Sequence, residues 1–129
     1  MSAATSKRTQ TQKQKTYDKG VWAEKYAGVY LKAKGYKILQ TRYKTKFGEI
    51  DLIIQKDKSI AFVEVKARRS IEEALHSITP KMKERIANAA QFYLSENPEI
   101  LEYDLRFDVI AIKPPLFLDH LENAWQLES

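Results

Sequence analysis

Cysteine is absent from this 129-residue chain, so disulfides and thiolate metal sites are excluded. A chain of this length can build a core without either. A cysteine-free composition fits a reducing compartment, and a cytoplasmic location is expected. No apolar run approaches the roughly 18 residues of a membrane span, so no membrane association is expected. The N-terminal MSAATSKRTQTQKQK has no apolar segment of the kind that marks a secretory signal. With only two histidines, His76 and His120, no Ser-His-Asp set is indicated, and both read as structural or surface residues. The four scattered glycines form no phosphate-binding loop.

Acidic residues are also missing from two stretches. Residues 1–16 carry Lys7, Arg8, Lys13 and Lys15 and no acid, and read as a disordered basic tail ahead of a single domain over 17–129. Without those four cations the net charge of +5 falls to +1, so the domain is nearly neutral. It is polarised, however. Residues 25–48 hold seven basic side chains and no acidic one, whereas residues 96–129 hold eight acids against Arg106 and Lys113. A basic front half attracts phosphate, and the acidic end does not.

What is present from Tyr17 onward is periodic. Trp22, Tyr26, Val29, Tyr30 and Ala33 recur at helical spacing, which predicts an amphipathic helix over 18–34 with an apolar, core-facing stripe. Gly35 follows where a helix ends in a left-handed residue. A short strand is expected at Tyr36 to Gln40, and a strand or hairpin at Arg42 to Lys46. Gly48 to Ile54 reads as a second strand with Ile50, Leu52 and Ile54 on one face, and Ile60 to Lys66 as a third. The polar turn between them favours antiparallel pairing. Residues 67–78 form a polar connection of open conformation. Thr79-Pro80 opens a helix as N-cap and first-turn proline, with Met82, Ile86, Ala89, Ala90 and Tyr93 inward and Asn97-Pro98 ending it. Leu105 to Ile112 reads as a fourth strand, stopped by Pro114-Pro115. The last dozen residues read as a strand or a short helix. The class is therefore α/β, a mixed sheet flanked by helices in the order αβββαβ.

Polar residues interrupt two of these apolar strands. With side chains alternating faces, Glu64 and Lys66 share a face of strand three, and Asp51 lies opposite Ile50 and Leu52 on strand two. A hairpin closing at 56–59 brings Asp51 toward Glu64 and Lys66. Hard divalent cations take carboxylate and carbonyl oxygen, so Asp51 and Glu64 are candidate ligands with the Val65 carbonyl as a third. Lys66 is placed to orient a water or stabilise a phosphorus centre. Glu24, on the first helix, is a further acid for the set. Glu-x-Lys alone arises by chance about 0.5 times in a chain of this length, so its weight comes from the joint placement with Asp51.

Several blocks in sequence order extend this. They are Gly20-Val-Trp-Ala-Glu24-Lys-Tyr-Ala27, Phe47-Gly-Glu-Ile-Asp-Leu-Ile53 and Phe62-Val-Glu-Val-Lys66-Ala-Arg68, followed by Thr79-Pro-Lys81, Ala89-Ala-Gln-Phe-Tyr-Leu94 and Arg106-Phe-Asp-Val109. From Gly20 to Trp125 the chain resembles the YraN-like family UPF0102. That family looks like a branch of the restriction-endonuclease-like superfamily, which also holds the archaeal Holliday-junction resolvases. The resemblance implies the αβββαβ nuclease core and matches Glu24, Asp51, Glu64 and Lys66 to the acidic set. It implies a Mg²⁺- or Mn²⁺-dependent nuclease acting on DNA, including branched or damaged structures. Arg42, Lys44, Lys46, Arg68, Arg69 and Lys81 are the candidate phosphate contacts. This chain departs from the family in Ala23, where a glycine is usual, and in Arg42, where an asparagine is common. Two other functions stay open: a non-catalytic nucleic-acid-binding accessory protein of the same fold, and a protein-interaction module using the acidic C-terminal half. Whether the chain forms a homodimer is left open as well.

Overall fold

The computed structural model describes residues 20–126, so the basic tail expected at 1–16 lies outside the described residues. Helix α1 covers 20–33 of that range. Five strands follow: β1 (Lys37–Lys44), β2 (Glu49–Lys56), β3 (Ser59–Ala67), β4 (Asp104–Lys113) and β5 (Phe117–Trp125). Between β3 and β4 run α2 (Ile71–His76), α3 (Pro80–Glu96) and a 3-10 turn at Pro98–Glu102. The sheet order is β1-β2-β3-β4-β5. β3 and β4 are parallel and every other pair is antiparallel. A parallel pair needs a crossover, which α2 and α3 supply. The order αβββαβ is thus the observed one, with β5 added at the edge.

β3 is central and apolar on both faces, as expected for a strand covered twice. On one face Ala61, Val63, Val65 and Ala67 join Leu52, Ile54, Ile110 and Ile112 under Ala23, Ala27 and Leu31 of α1. On the other face Ile60 and Phe62 join Ile50 and Ile53 under Ile86, Ala89, Ala90 and Tyr93 of α3. The N-terminus of α3 is capped as expected, with the Met82 N–H donating to Thr79 Oγ1.

Three expectations are corrected, and the open form of residues 67–78 is settled. The buried stripe of α1 is Ala23, Ala27 and Leu31, while Tyr26 and Tyr30 flank it and Trp22 and Val29 are 40% and 67% exposed. Small side chains let the helix sit close to the sheet, and the bulkier ones are turned aside. Ile50 packs with Ile53 under α3 rather than with Leu52. The paired register of β2 with β3 ends at Leu52 and Val63, and from Ile50 outward β2 is paired with β1 alone. The two pieces expected at 36–46 are one strand, carried through an irregularity between Ile38 and Gln40 and a left-handed Arg42 at φ 50. The polar connection contains a helix, α2, capped by the Ser70 side chain.

Behind the α1 face lies a buried polar cluster. Asp108 has no solvent exposure. It accepts from Arg106 Nε at 3.0 Å and the Asn123 N–H at 2.9 Å, and sits 2.7 Å from His120 Nε2. Burial alone would raise its pKa, but the bonds from His120, Arg106 and Asn123 outweigh it and hold the carboxyl below its usual value. Arg106 also donates to Tyr36 Oη at 2.7 Å, so the cluster ties β4 and β5 to the end of α1. His120 is therefore structural, and His76 is exposed on α2.

Candidate active site

Beyond Leu52 and Val63 the β2–β3 ladder stops, and a side chain takes the place of the next rung. The Val65 N–H donates to Asp51 Oδ2 at 2.8 Å. In an antiparallel pair the N–H and C=O of one residue leave to the same side. The Val65 carbonyl therefore faces the same gap between the strands. Asp51 and Glu64 both line a small cleft of about 80 Å³, completed by Glu49, Met82, Arg85 and Ile86. The two carboxylates predicted to converge do so, on the face covered by α3.

A glycine sets the wall of that cleft. Gly48, in the β1–β2 turn, lies against the backbone of Arg85 in α3, and any Cβ there would overlap the Arg85 carbonyl. The turn itself is fixed by Thr45, whose Oγ1 accepts from the Phe47 and Gly48 N–H groups and donates to the Gly48 carbonyl. Phe47 rests on Phe92 of α3 at 5.8 Å between ring centroids. Together these contacts hold the start of β2, and thus Asp51, against α3.

The electrostatics follow from crowding two acids in a dry place. Burial raises the Glu64 carboxyl to about 8, the neighbouring Asp51 charge adds to this, and Lys66 opposes it. Asp51 is raised as well, first by burial, with the Val65 N–H pulling it down and the Glu24 charge pushing it up. Such a pair retains a proton that isolated carboxylates would have lost. Lys66 Nζ lies 3.4 Å from Glu64 Oε1, half-buried beside it. Two carboxylates and a free-facing carbonyl are hard oxygen donors, and Mg²⁺ or Mn²⁺ takes one or two carboxylates and fills its shell with water. The donor set fits such an ion. Among the described residues, no group of three or more His, Asp or Glu side chains is placed to hold a metal.

Glu24 stands apart from that pair. Its Oε1 accepts from Arg42 Nε at 2.8 Å. Arg42 is thereby engaged from below, opposite Asp51 in the β1–β2 register. Lys44 and Lys46 are exposed, the latter over the Phe47 ring. Arg68 donates to the Ala67 carbonyl at the end of β3, Arg69 pairs with Glu73 at 3.5 Å, and Lys81 is exposed in the first turn of α3. Sequence reasoning missed Arg85 and Glu49 as cleft residues. Glu49 precedes Asp51 by two and was legible as a neighbour, but nothing in the α3 sequence says that Arg85 meets the strand gap.

The comparisons with known proteins bear on the whole chain. The model of the uncharacterised protein family UPF0102 matches residues 23–112. A UPF0102 protein of Rhodopseudomonas palustris strain BisB5 is 44% identical over 109 residues, spanning 84% of this chain and 83% of the relative. One from Bradyrhizobium diazoefficiens is 44% identical over 110 residues, spanning 85% and 83%. A third, from another R. palustris strain, is 46% identical over 106 residues and 82% of each chain.

Proposed function

The chain belongs to the UPF0102 family, and we propose that it is a metal-dependent nuclease that hydrolyses phosphodiester bonds in cytoplasmic DNA, branched or damaged structures included. The observation that carries this reading is the Asp51–Glu64 pair, two carboxylates in one cleft with Lys66 3.4 Å from the second. An ion pair formed for stability alone has no use for a second buried acid, which only repels the first. Bound Mg²⁺ or Mn²⁺ would offset that repulsion, acidify a water and neutralise charge on the phosphate.

The chain's own groups divide the remaining work. Asp51, fixed by the Val65 N–H, and Glu64 supply the negative charge that holds the ion. Lys66 orients the water and stabilises charge on the phosphorus as it becomes five-coordinate. The water oxygen bonds to phosphorus and releases a proton to solvent, one P–O ester bond breaks, and the departing oxygen takes up a proton from solvent. Glu24 keeps Arg42 directed at the margin of the sheet, next to Asp51. Lys44, Lys46, Arg68, Arg69 and Lys81 contact flanking phosphates. An accessory protein that binds without cutting would keep those cations, but it would have no need for the buried acid pair.

The test is a cleavage screen of the full chain against single-stranded, duplex, flapped and four-way DNA with Mg²⁺ or Mn²⁺, with EDTA controls. Cutting that needs the ion and disappears in Asp51→Asn supports the reading. If no substrate is cut with either ion, the proposal fails and the accessory function replaces it.

A further inference from the structure

A second feature lies on the opposite face of the sheet from the acid pair. Between α1 and β1 runs an open groove of about 880 Å³, and its lining includes Trp22, Lys25, Gly28, Val29, Lys32 and Arg42. Trp22, Lys25, Val29 and Lys32 are spaced by three, four and three residues, so they form one stripe along α1. At 1.5 Å per residue the stripe is about 15 Å long, or roughly four base steps of stacked strand at 3.4 Å each. Its aromatic and aliphatic members are exposed, at 40% for Trp22 and 67% for Val29. The one acid in the lining, Glu24, is bonded to Arg42, and Lys25 and Lys32 form no ion pair among the described residues.

Gly28 adds an independent observation. It sits in the middle of a helix, where glycine is about the poorest residue short of proline. A Cβ added there would meet nothing within 4 Å, so no neighbour requires the glycine. Its effect is to leave the groove deeper beside Trp22 and Val29.

We infer that this groove binds single-stranded nucleic acid, with bases resting on Trp22 and Val29 over Gly28 and with Lys25 and Lys32 meeting the phosphates. Exposed apolar and aromatic side chains alternating with cations along one stripe suit a strand whose bases are unstacked, whereas a duplex would offer phosphates to the cations and nothing to the apolar side chains. A second copy of this chain is disfavoured by charge. In an isologous dimer the same patch meets itself, which would bring Lys25 and Lys32 of each copy together. The groove reaches the cleft's margin through Arg42, which lies opposite Asp51 in register. This deepens the nuclease reading and rests on it only for substrate class: a strand held here would lead from an unpaired region to the cut. The binding itself does not need that reading.

The test uses the full chain in EDTA, so that cutting does not enter. Anisotropy is measured with fluorescein-labelled 12-mers of dT and of U and with a blunt duplex. Gly28→Leu puts an apolar side chain into the groove from a Cβ position with nothing within 4 Å, and it should melt no lower than wild type. It should raise the Kd for whichever single strand wild type holds by at least tenfold, and leave duplex binding unchanged. Lys25→Ala with Lys32→Ala, both on exposed positions, should flatten the salt dependence by about 1.4 in log–log slope. If Gly28→Leu binds the 12-mer like wild type, or wild type prefers the duplex, the inference is overturned. If sedimentation shows that Gly28→Leu turns a dimer into a monomer, the groove is a self-interface and the inference is overturned as well. Wild type that binds through the groove but never cuts would end the nuclease proposal and leave this one standing.

Discussion

Asp51 and Val65 are joined side chain to backbone, the Val65 N–H donating to Asp51 Oδ2 at 2.8 Å where the β2–β3 ladder has ended. A carboxylate thus stands in for a backbone carbonyl. The bond fixes the Asp51 side chain ahead of any ligand, which is the kind of preorganisation that a charged transition state rewards.

Asp51→Asn retains an oxygen that can accept the Val65 N–H, so the fold should hold and the melting temperature should shift by only a few degrees. The charge that binds the ion is lost, and cutting should fall by at least about 100-fold. Affinity for DNA should stay equal or tighten, because a negative charge beside phosphate has gone. Asp51→Ala should in addition cost about 1–3 kcal/mol in urea denaturation, since a buried N–H loses its partner. Equal stability of the two variants would show that the bond contributes nothing to the fold.

Lys66 separates an enzyme from a binding protein. If its ammonium acts on the water or the phosphorus, Lys66→Ala should reduce kcat by about 100-fold or more with little change in KM. Exposed Lys44 should behave in the opposite way, its alanine variant weakening binding and reducing the salt slope by roughly one. Gel-shift titrations beside single-turnover cleavage distinguish the two. A Lys66→Ala variant that loses affinity in step with Lys44→Ala and keeps its rate would make Lys66 a phosphate contact.

Gly48 should tolerate no side chain. A methyl group there would overlap the Arg85 carbonyl of α3, and the rigid Thr45 turn gives the strand no easy retreat. Gly48→Ala should therefore cost at least about 2 kcal/mol by urea denaturation, and cutting should fall with it as Asp51 is displaced from Glu64. The unclashed Gly28→Ala is the control, expected to be neutral or stabilising.

The parts of this fold that were legible in the sequence are those governed by local chemistry. Thr79-Pro80 announced α3, the polar residues 56–59 announced the β2–β3 turn, and the acids inside two apolar strands announced the cleft. What was not legible depends on contacts between distant segments. Trp22 shares the helical spacing of Tyr26 and Tyr30, but α1 lies so close to the sheet that Ala23 and Ala27 take the inward positions. Ile50 fits the alternation of Leu52 and Ile54 on paper, yet it packs with Ile53 under α3, at the end of β2 that β1 alone still pairs. The cluster of Asp108, Arg106 and His120 joins residues of neighbouring strands that only the β4–β5 pairing brings together. Arg106-Phe-Asp108 holds the necessary spacing of two, but no local signal says that Asp108 is buried and that Arg106 covers it.

The acid pair should make the ion-free protein sensitive to alkali. Burial, with the Asp51 charge beside it, raises Glu64 from 4.5 to about 8. Between those values the folded chain holds a proton that the unfolded chain has released, so stability falls as pH rises through that window and levels off above it. The slope is at most about 1.4 kcal/mol per pH unit. In EDTA the melting temperature of wild type should therefore drop by roughly 5 °C or more between pH 6 and pH 9. Glu64→Gln carries no charge to bury and should lose much less over the same range, overtaking wild type near pH 8 while cutting nothing. Added Mg²⁺ binds the folded form and should stabilise wild type by mass action, more at pH 9 than at pH 6, because the ion competes with the proton. It should leave Glu64→Gln almost unmoved. Parallel wild-type and Glu64→Gln melting curves across the pH range would mean that Glu64 ionises normally, and a Mg²⁺ shift of equal size in both would place the ion elsewhere.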